Sequence, residues 1–148
     1  MSSQNIEIDD ICHYHISQKG TQYMNYRLLV VDDNSANRLL MSCILNKMNY
    51  SHDLAENGKI ALEMIEYVKY DLVLMDLFMP VMDGFEALNK IKNHKDSYIS
   101  KIPVITVTAK PDSEGINEFD AIIPKPIRIS FFQKTLHKFF RRALIDLS

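Results

Sequence analysis

Five side chains that could do chemistry sit at or just after the ends of short apolar runs. They are Asp32, Asp33, Asp76, Thr108 and Lys125. An unpaired carboxylate is costly inside an apolar segment, so Asp76, which ends the run DLVLMD, is expected to serve chemistry rather than packing. Three carboxylates, a hydroxyl and an amine from four separate segments exceed what a sheet needs for stability, and they indicate one site for a charged ligand.

A hard cation is the natural companion of these carboxylates, because it relieves the repulsion among them. Carboxylate and carbonyl oxygens are ligands that suit Mg²⁺. A cation with an amine and a hydroxyl opposite could hold a phosphoryl group, since phosphoryl transfer depends mainly on positioning and charge neutralisation. A carboxylate such as Asp76 can itself be the nucleophile and form an aspartyl phosphate.

Apolar periodicity predicts the elements that must position these side chains. Apolar runs predict strands at residues 27–31, 52–55, 71–76, 102–109 and 121–123. Amphipathic patterns predict helices over residues 36–48, 61–68, 85–91 and 130–142. Strands that alternate with helices pair in parallel, so we expect an α/β fold with a flavodoxin-like, doubly wound, five-stranded parallel sheet in the order 2-1-3-4-5. The ligand site of such a sheet lies at the carboxyl ends of its strands, where all five side chains fall.

Four motifs occur in order at these strand ends: VVDDNSANR, MDLFMPVMDG, VTA and PKP. Together they resemble the receiver domain of two-component response regulators, over about residues 26–142. The string DDNSANR is most similar to receivers of hybrid histidine kinases and phosphorelays. The resemblance implies a phosphoacceptor signalling switch rather than an enzyme. Its donor would be a phosphohistidine on a histidine kinase or a histidine phosphotransfer domain, and its output a protein contact or a phosphate relay.

The resemblance also implies a Mg²⁺ cofactor and a role for each matching position. Asp76 matches the phosphoacceptor and a metal ligand. Asp33 matches the direct Mg²⁺ ligand, and Asp32 its acidic neighbour, which often acts through water. The backbone carbonyl of Phe78 matches the third protein ligand of the metal.

Thr108 and Lys125 match the hydroxyl and the amine that contact the phosphoryl group, but the sequence around them departs from the family. An aromatic residue usually stands three positions before the lysine, and Ile122 stands there in this chain, while Phe119 is out of register. The stretch between Thr108 and Lys125 is also shorter than the family's by more than one helical turn. We therefore expect the family's fourth helix, which connects the last two strands, to be shortened, and the usual receiver dimer, which uses that face, to be absent or altered.

Composition excludes several other classes. The chain has 148 residues and a net charge of -2, which allows one domain and shows no basic excess for binding nucleic acid. No apolar run approaches the roughly 20 residues of a membrane span. The polar, acidic N-terminus does not resemble a signal peptide, and Cys12 and Cys43 are too few for a disulfide framework, so a cytoplasmic location is expected.

The chain divides into three predicted parts. Residues 1–25 form an extension or linker, residues 26–142 the receiver domain, and residues 143–148 a tail, with no DNA-binding segment after residue 142. The stretch CHYH in the extension contains Cys12, His13 and His15, but its spacing matches no common zinc pattern.

Other functions for the same residues remain open from sequence alone. Read singly, Thr108 is an ordinary strand residue and Lys125 an ordinary loop lysine. A receiver-like interaction module that has lost its chemistry is one alternative. A phosphohydrolase with Asp76 as nucleophile is another, although it needs an acid/base group where this chain has Phe78. A flavin-binding protein is disfavoured, because Asp32 and Asp33 would repel its phosphate.

Overall fold

The computed structural model describes residues 25–146. Its strands are β1 Arg27–Val31, β2 Ser51–Ala55, β3 Leu72–Met75, β4 Val104–Thr108 and β5 Ala121–Pro124. Its helices are α1 Ser35–Lys47, α2 Gly58–Tyr67, α3 Gly84–Lys92, the short α4 Ser97–Ser100 and α5 Ile129–Asp146. One turn of 3₁₀ helix, Ile116–Glu118, lies between β4 and β5.

The five strands pair in parallel in the order β2-β1-β3-β4-β5, which confirms the predicted flavodoxin-like, doubly wound sheet. Side chains of a strand alternate between the two faces of a sheet, so each face has its own core. Val31 and Met75 pack on the face that α2 and α3 cover. Val30 and Leu74 pack on the opposite face, under α1 and α5. Burial on both faces explains why these strands are continuous apolar runs.

Polar residues in the loops begin the first three helices. The side chains of Asn34, Asn57 and Asp83 each accept a hydrogen bond from a backbone N–H of the first turn of α1, α2 and α3, respectively. Such caps satisfy donors that have no partner within the helix. Asn49 has φ 60 just after α1, the left-handed conformation that commonly ends a helix.

Several predicted bounds were wrong. The last helix continues to Asp146 instead of ending at Arg142, so the predicted tail is helical through residue 146. No glycine or proline interrupts residues 143–146, and propensity therefore lets the helix continue. Strand β3 ends at Met75, which places Asp76 directly after the strand. Helix α4, which lies before β4 and is distinct from the helix expected between β4 and β5, was not predicted, because four residues are too few to show a helical period.

Two predictions fall in the first 24 residues, which lie outside the described part of the chain. One is the extension of residues 1–25, and the other concerns the CHYH stretch with Cys12, His13 and His15. The division into extension, receiver domain and tail stays a prediction.

The β4–β5 segment, residues 109–120, replaces the helix that usually connects these two strands. Its only regular structure is the 3₁₀ turn, which follows Gly115 at φ 81. Ile116 and Phe119 are buried in the core on the α2 and α3 face, and the Phe119 ring meets that of Phe85 edge-on at 5.7 Å. The predicted shortening of the helix between β4 and β5 is confirmed. Ile116 and Phe119 pack on this face of the sheet in its place.

Candidate functional site

Three carboxylates meet where β1 and β3 end. Asp32, Asp33 and Asp76 each offer a carboxylate oxygen, and these three atoms lie within 4.8 Å of one another. Parallel pairing of Val31 with Met75 aligns the two strand ends, and the Asp76 backbone N–H donates to the Val31 carbonyl at 2.9 Å. A cluster of hard oxygen donors at one point fits Mg²⁺. The structure thus confirms the predicted convergence of these three residues.

Asp32 is the most firmly held of the three. Its side chain is buried and accepts hydrogen bonds from the Asn34 backbone N–H at 2.9 Å and from Lys125 Nζ at 3.0 Å. Its own backbone N–H donates to the Ala55 carbonyl at 3.1 Å. Asp33, in contrast, is exposed. One acid is therefore fixed beside the lysine, while the next faces solvent.

Asp76 lies in a setting that disfavours its charge. Burial raises the pKa of Asp76 above its usual range, and the nearby charges of Asp32 and Asp33 raise it further. Lys125 Nζ, 3.6 Å from Oδ2, and the Leu77 backbone N–H, 2.8 Å from Oδ1, act in the opposite direction. A bound cation would favour the ionised form that nucleophilic attack requires.

Gly84 is the residue that lets α3 begin against the backbone of Asp76. A Cβ atom at position 84 would collide with the Asp76 carbonyl oxygen and crowd Leu77 Cα. The Gly84 backbone N–H donates to the Leu77 carbonyl at 2.7 Å. The Asp83-Gly84 pair therefore caps α3 and also fixes the loop that follows Asp76.

Thr108 is the last residue of β4, and its hydroxyl oxygen accepts a hydrogen bond within the following loop. The side chain is buried, and Oγ1 accepts a hydrogen bond from the Lys110 backbone N–H at 3.0 Å. The Thr108 carbonyl accepts from the Lys125 backbone N–H at 2.7 Å, which ties the two residues together by their backbones. The structure brings Lys125 to the aspartates and leaves the Thr108 hydroxyl bonded within its own loop.

Phe78 carries a half-exposed ring beside the site. The ring meets that of Phe85 at 6.4 Å, and Lys110 Nζ lies 5.2 Å from its centre. Phe85 in turn contacts Phe119, so three rings run from the loop after β3 to the β4–β5 segment. The role of the Phe78 carbonyl as a metal ligand stays a prediction, as does the effect of Ile122.

Arg38 is a neighbour of the site that the sequence analysis did not single out. Its Nη1 donates to the backbone carbonyl of Asp32 at 2.8 Å. The residue belongs to the motif VVDDNSANR, but apolar periodicity says nothing about a polar side chain that folds back onto a loop.

The family-model comparison identifies the chain. Residues 28–136 match the model of the response regulator receiver domain. This match covers most of the chain and includes every predicted site residue. The chain therefore belongs to the response regulator receiver family, whose members act in two-component and phosphorelay signalling.

Individual relatives and solved structures agree with that assignment. The chain is 34% identical over 122 residues to hybrid signal transduction histidine kinase I of Dictyostelium discoideum, covering 76% of this chain but only 7% of that protein. A sensor histidine kinase receiver domain of Pseudomonas aeruginosa, with a magnesium ion in its active-site cleft, has TM-score 0.70 and 26% identity, covering 78% and 97% of the two chains. Response regulator TrrA of Thermotoga maritima, in complex with Mg²⁺ and BeF, has TM-score 0.69 and 30% identity, covering 77% and 98%.

Among residues 25–146, every helix is too short or too polar to cross a bilayer.

Proposed function

We propose that this receiver domain is a phosphoacceptor switch in which Asp76 takes a phosphoryl group from a phosphohistidine donor in a Mg²⁺-dependent reaction. The observation that carries the proposal is the convergence of three carboxylates with one lysine. Lys125 Nζ lies 3.0 Å from Asp32 and 3.6 Å from Asp76, beside the cluster of oxygen ligands. A sheet needs no such group of charges for its stability, whereas phosphoryl transfer does.

In the transfer step, Asp76 is the nucleophile and the phosphohistidine is the donor. A carboxylate oxygen of Asp76 attacks the phosphorus atom and forms a P–O bond. The P–N bond of the phosphohistidine breaks, and the ring nitrogen keeps the electron pair and takes a proton from solvent when the ring requires one. No general base is needed, because the attacking carboxylate is already ionised.

The metal would be held by Asp33, by Asp76 and the carbonyl of Phe78, with Asp32 acting through water. When bound, Mg²⁺ supplies charge neutralisation for the aspartates and for the phosphoryl oxygens. Asp32 has its own task in this site, because it holds the Lys125 ammonium at 3.0 Å before any phosphoryl group arrives.

Lys125 and Thr108 would read the phosphorylated state. Lys125 is placed to pair with a phosphoryl oxygen on Asp76, since the carboxylate already lies at 3.6 Å. The Thr108 hydroxyl would exchange its contact with the Lys110 N–H for a phosphoryl oxygen. Because Lys110 is the second residue of the β4–β5 segment, that exchange would bias the segment between two arrangements.

A protein donor is favoured by the surface beside the site. A cavity of about 510 Å³ between α1 and α5 adjoins Asp76 and Lys125, and apolar side chains line most of it. Leu39 and Leu40 on α1 are 66% and 54% exposed. An apolar cavity bordered by exposed apolar side chains is typical of a protein contact surface, which supports a histidine kinase or a histidine phosphotransfer domain as the donor.

The output that we propose is a protein contact or onward relay of the phosphoryl group, without catalysis beyond the domain's own phosphorylation and dephosphorylation. The cytoplasm is the proposed location, and the exposed thiol of Cys43 accords with a reducing compartment. The usual receiver dimer is not expected, because a single 3₁₀ turn replaces the helix of its contact face.

Intact-mass measurement tests the proposal. The protein is incubated with acetyl phosphate and Mg²⁺, alongside a sample with chelator and an Asp76→Asn variant. We expect a mass increase of one phosphoryl group only in the wild type with Mg²⁺. An unmodified wild type would favour the interaction module without chemistry, and an adduct that persists in Asp76→Asn would refute Asp76 as the acceptor.

A further inference from the structure

Arg38 holds the peptide group that joins the two acids of the β1–α1 loop. Its Nη1 donates to the Asp32 carbonyl oxygen at 2.8 Å, in a partly buried position. The Asp32 N–H on the other side donates to the Ala55 carbonyl at 3.1 Å. The backbone of Asp32 is therefore fixed from both directions, and Arg38 provides the charged partner.

Helix stability does not explain this arginine. Arg38 lies in the first turns of α1, where its backbone N–H donates to the carbonyl of the N-cap residue Asn34. The helix dipole places partial positive charge at this end, and a cation there is unfavourable. The cap is already made by the Asn34 side chain, which accepts from the Asn37 N–H. The Arg38 side chain therefore stabilises the β1–α1 loop, whose Asp32 carbonyl it binds, rather than the helix.

The carbonyl oxygen that Arg38 binds belongs to the peptide group between Asp32 and Asp33. The carbonyl of Asp32 and the N–H of Asp33 belong to one planar peptide group, so fixing that oxygen fixes the orientation of the Asp33 backbone. Within residues 25–146, the exposed Asp33 carboxylate has no hydrogen bond that would orient it directly. Its direction toward the cluster depends on the backbone that carries it.

We propose that Arg38 is a positioning residue that orients the Asp32–Asp33 peptide so that Asp33 can bind Mg²⁺. The inference rests on the proposed Mg²⁺-dependent function. A positioning role and a purely electrostatic role predict opposite changes in Mg²⁺ affinity when Arg38 is replaced. The guanidinium repels a cation, so a purely electrostatic role means that its removal tightens Mg²⁺ binding. A positioning role means that its removal weakens binding.

Calorimetric titration with Mg²⁺ alone, on the full chain, separates the two roles. We expect Arg38→Gln to bind Mg²⁺ about tenfold more weakly than the wild type, at the lower end of the range for residues that orient metal ligands. Arg38→Lys, which retains a charged donor, should recover most of that loss. Lys101→Gln removes the same charge from an exposed position at the opposite edge of the sheet, just before β4, and should bind like the wild type. Equal or tighter binding by Arg38→Gln would overturn the proposal.

Backbone amide NMR of the metal-free variants gives a second readout that does not depend on phosphorylation. The amides of Asp33 and Asn34 should shift in Arg38→Gln and stay in place in Lys101→Gln, while dispersed signals elsewhere report an intact fold. Unmoved amides would refute the positioning role even if Mg²⁺ binding is confirmed. Shifted amides in a wild-type protein that binds no Mg²⁺ would instead uphold the role of Arg38 in the loop and refute the proposed metal dependence.

Discussion

The charge of Asp76 is sustained against its surroundings by two contacts. Burial and the neighbouring charges of Asp32 and Asp33 favour the protonated acid, whereas Lys125 and the Leu77 N–H favour the carboxylate. The first group prevails, and the pKa is raised. A bound metal ion would act in the same direction as Lys125 and the Leu77 N–H, because its positive charge favours the ionised carboxylate of Asp76.

Replacing Asp76 by asparagine should stabilise the metal-free protein at pH 7. The folded-state pKa lies above the unfolded-state value, so the protonated form contributes stability that is lost as the pH rises through the folded-state pKa. The free energy of unfolding of Asp76→Asn, measured with urea and a chelator, should therefore exceed that of the wild type more at pH 7 than at about pH 4.

Asp112→Asn is the matched control, because Asp112 is exposed. Its effect should be small at both pH values. A variant at position 76 that is less stable than the wild type at pH 7 would contradict the assignment of a destabilising charge.

Phe78 should lengthen the life of the phosphoryl group. Its ring lies between the edge of Phe85 and the Lys110 ammonium, on the residue whose carbonyl is the proposed metal ligand. A bulky ring there hinders the water that attacks the phosphoryl group. In Phe78→Asn the adduct mass should disappear faster after the donor is removed, whereas Phe131→Asn, at an exposed position on α5, should keep the wild-type rate. A half-life in Phe78→Asn as long as that of the wild type would contradict this role.

Among the elements, the β4–β5 segment departs most from the family pattern, and its cover of the sheet depends on few side chains. Phe119 is 5% exposed and packs on Phe85, while Ile116 is 4% exposed. These side chains compensate for the missing helix by filling the same face of the core. The Phe85 ring lies between Phe119 and Phe78 and contacts both.

Phe119→Ala should lower the free energy of unfolding by about 3–5 kcal/mol, because it empties a buried aromatic site. Phe131→Ala removes the same ring from a position that is 44% exposed, and it should have a much smaller effect. Urea denaturation of the two variants compares them directly. Similar losses would show that Phe119 does not cover the core as described.

Sequence patterns predicted most elements because each is marked by several signals at once. Strand β1 was predicted at its observed bounds, since an apolar run is followed by capping residues. The end of α5 was missed because no stop signal marks it, and α4 was missed because it is a single turn. At the site, the strand ends predicted the meeting of the three aspartates. The contact of Arg38 with a backbone carbonyl could not be predicted, because it depends on how a flexible side chain folds back.

For the whole molecule, the order β2-β1-β3-β4-β5 leaves β5 at one edge, flanked by α5 and the β4–β5 segment. Alternating strands and helices predicted this order, since parallel strands require crossover connections. Because the strands are parallel, the loops after β1, β3, β4 and β5 all lie at the carboxyl ends of the strands. Residues far apart in sequence therefore form one site. The surface beside the edge strand β5, which a partner could contact, is formed by α5 and by the β4–β5 segment with its single 3₁₀ turn.

Light scattering should find a monomer both with and without beryllofluoride and Mg²⁺. The usual receiver dimer contacts a helix between the last two strands, and a single 3₁₀ turn stands there instead. The variant Asp76→Asn serves as the unresponsive control. A dimer that forms in the wild type only when beryllofluoride is added would contradict this prediction.

Chemical mapping of the modified residue determines whether Asp76 carries the phosphoryl group. Phosphorylated protein is reduced with borohydride, which converts an acyl phosphate into a homoserine, and the peptides are then sequenced by mass spectrometry. We predict homoserine at position 76 alone, and only in samples that contained Mg²⁺ and the phosphodonor. Homoserine at position 32 or 33, or its absence from position 76, would show that Asp76 is not the phosphoacceptor.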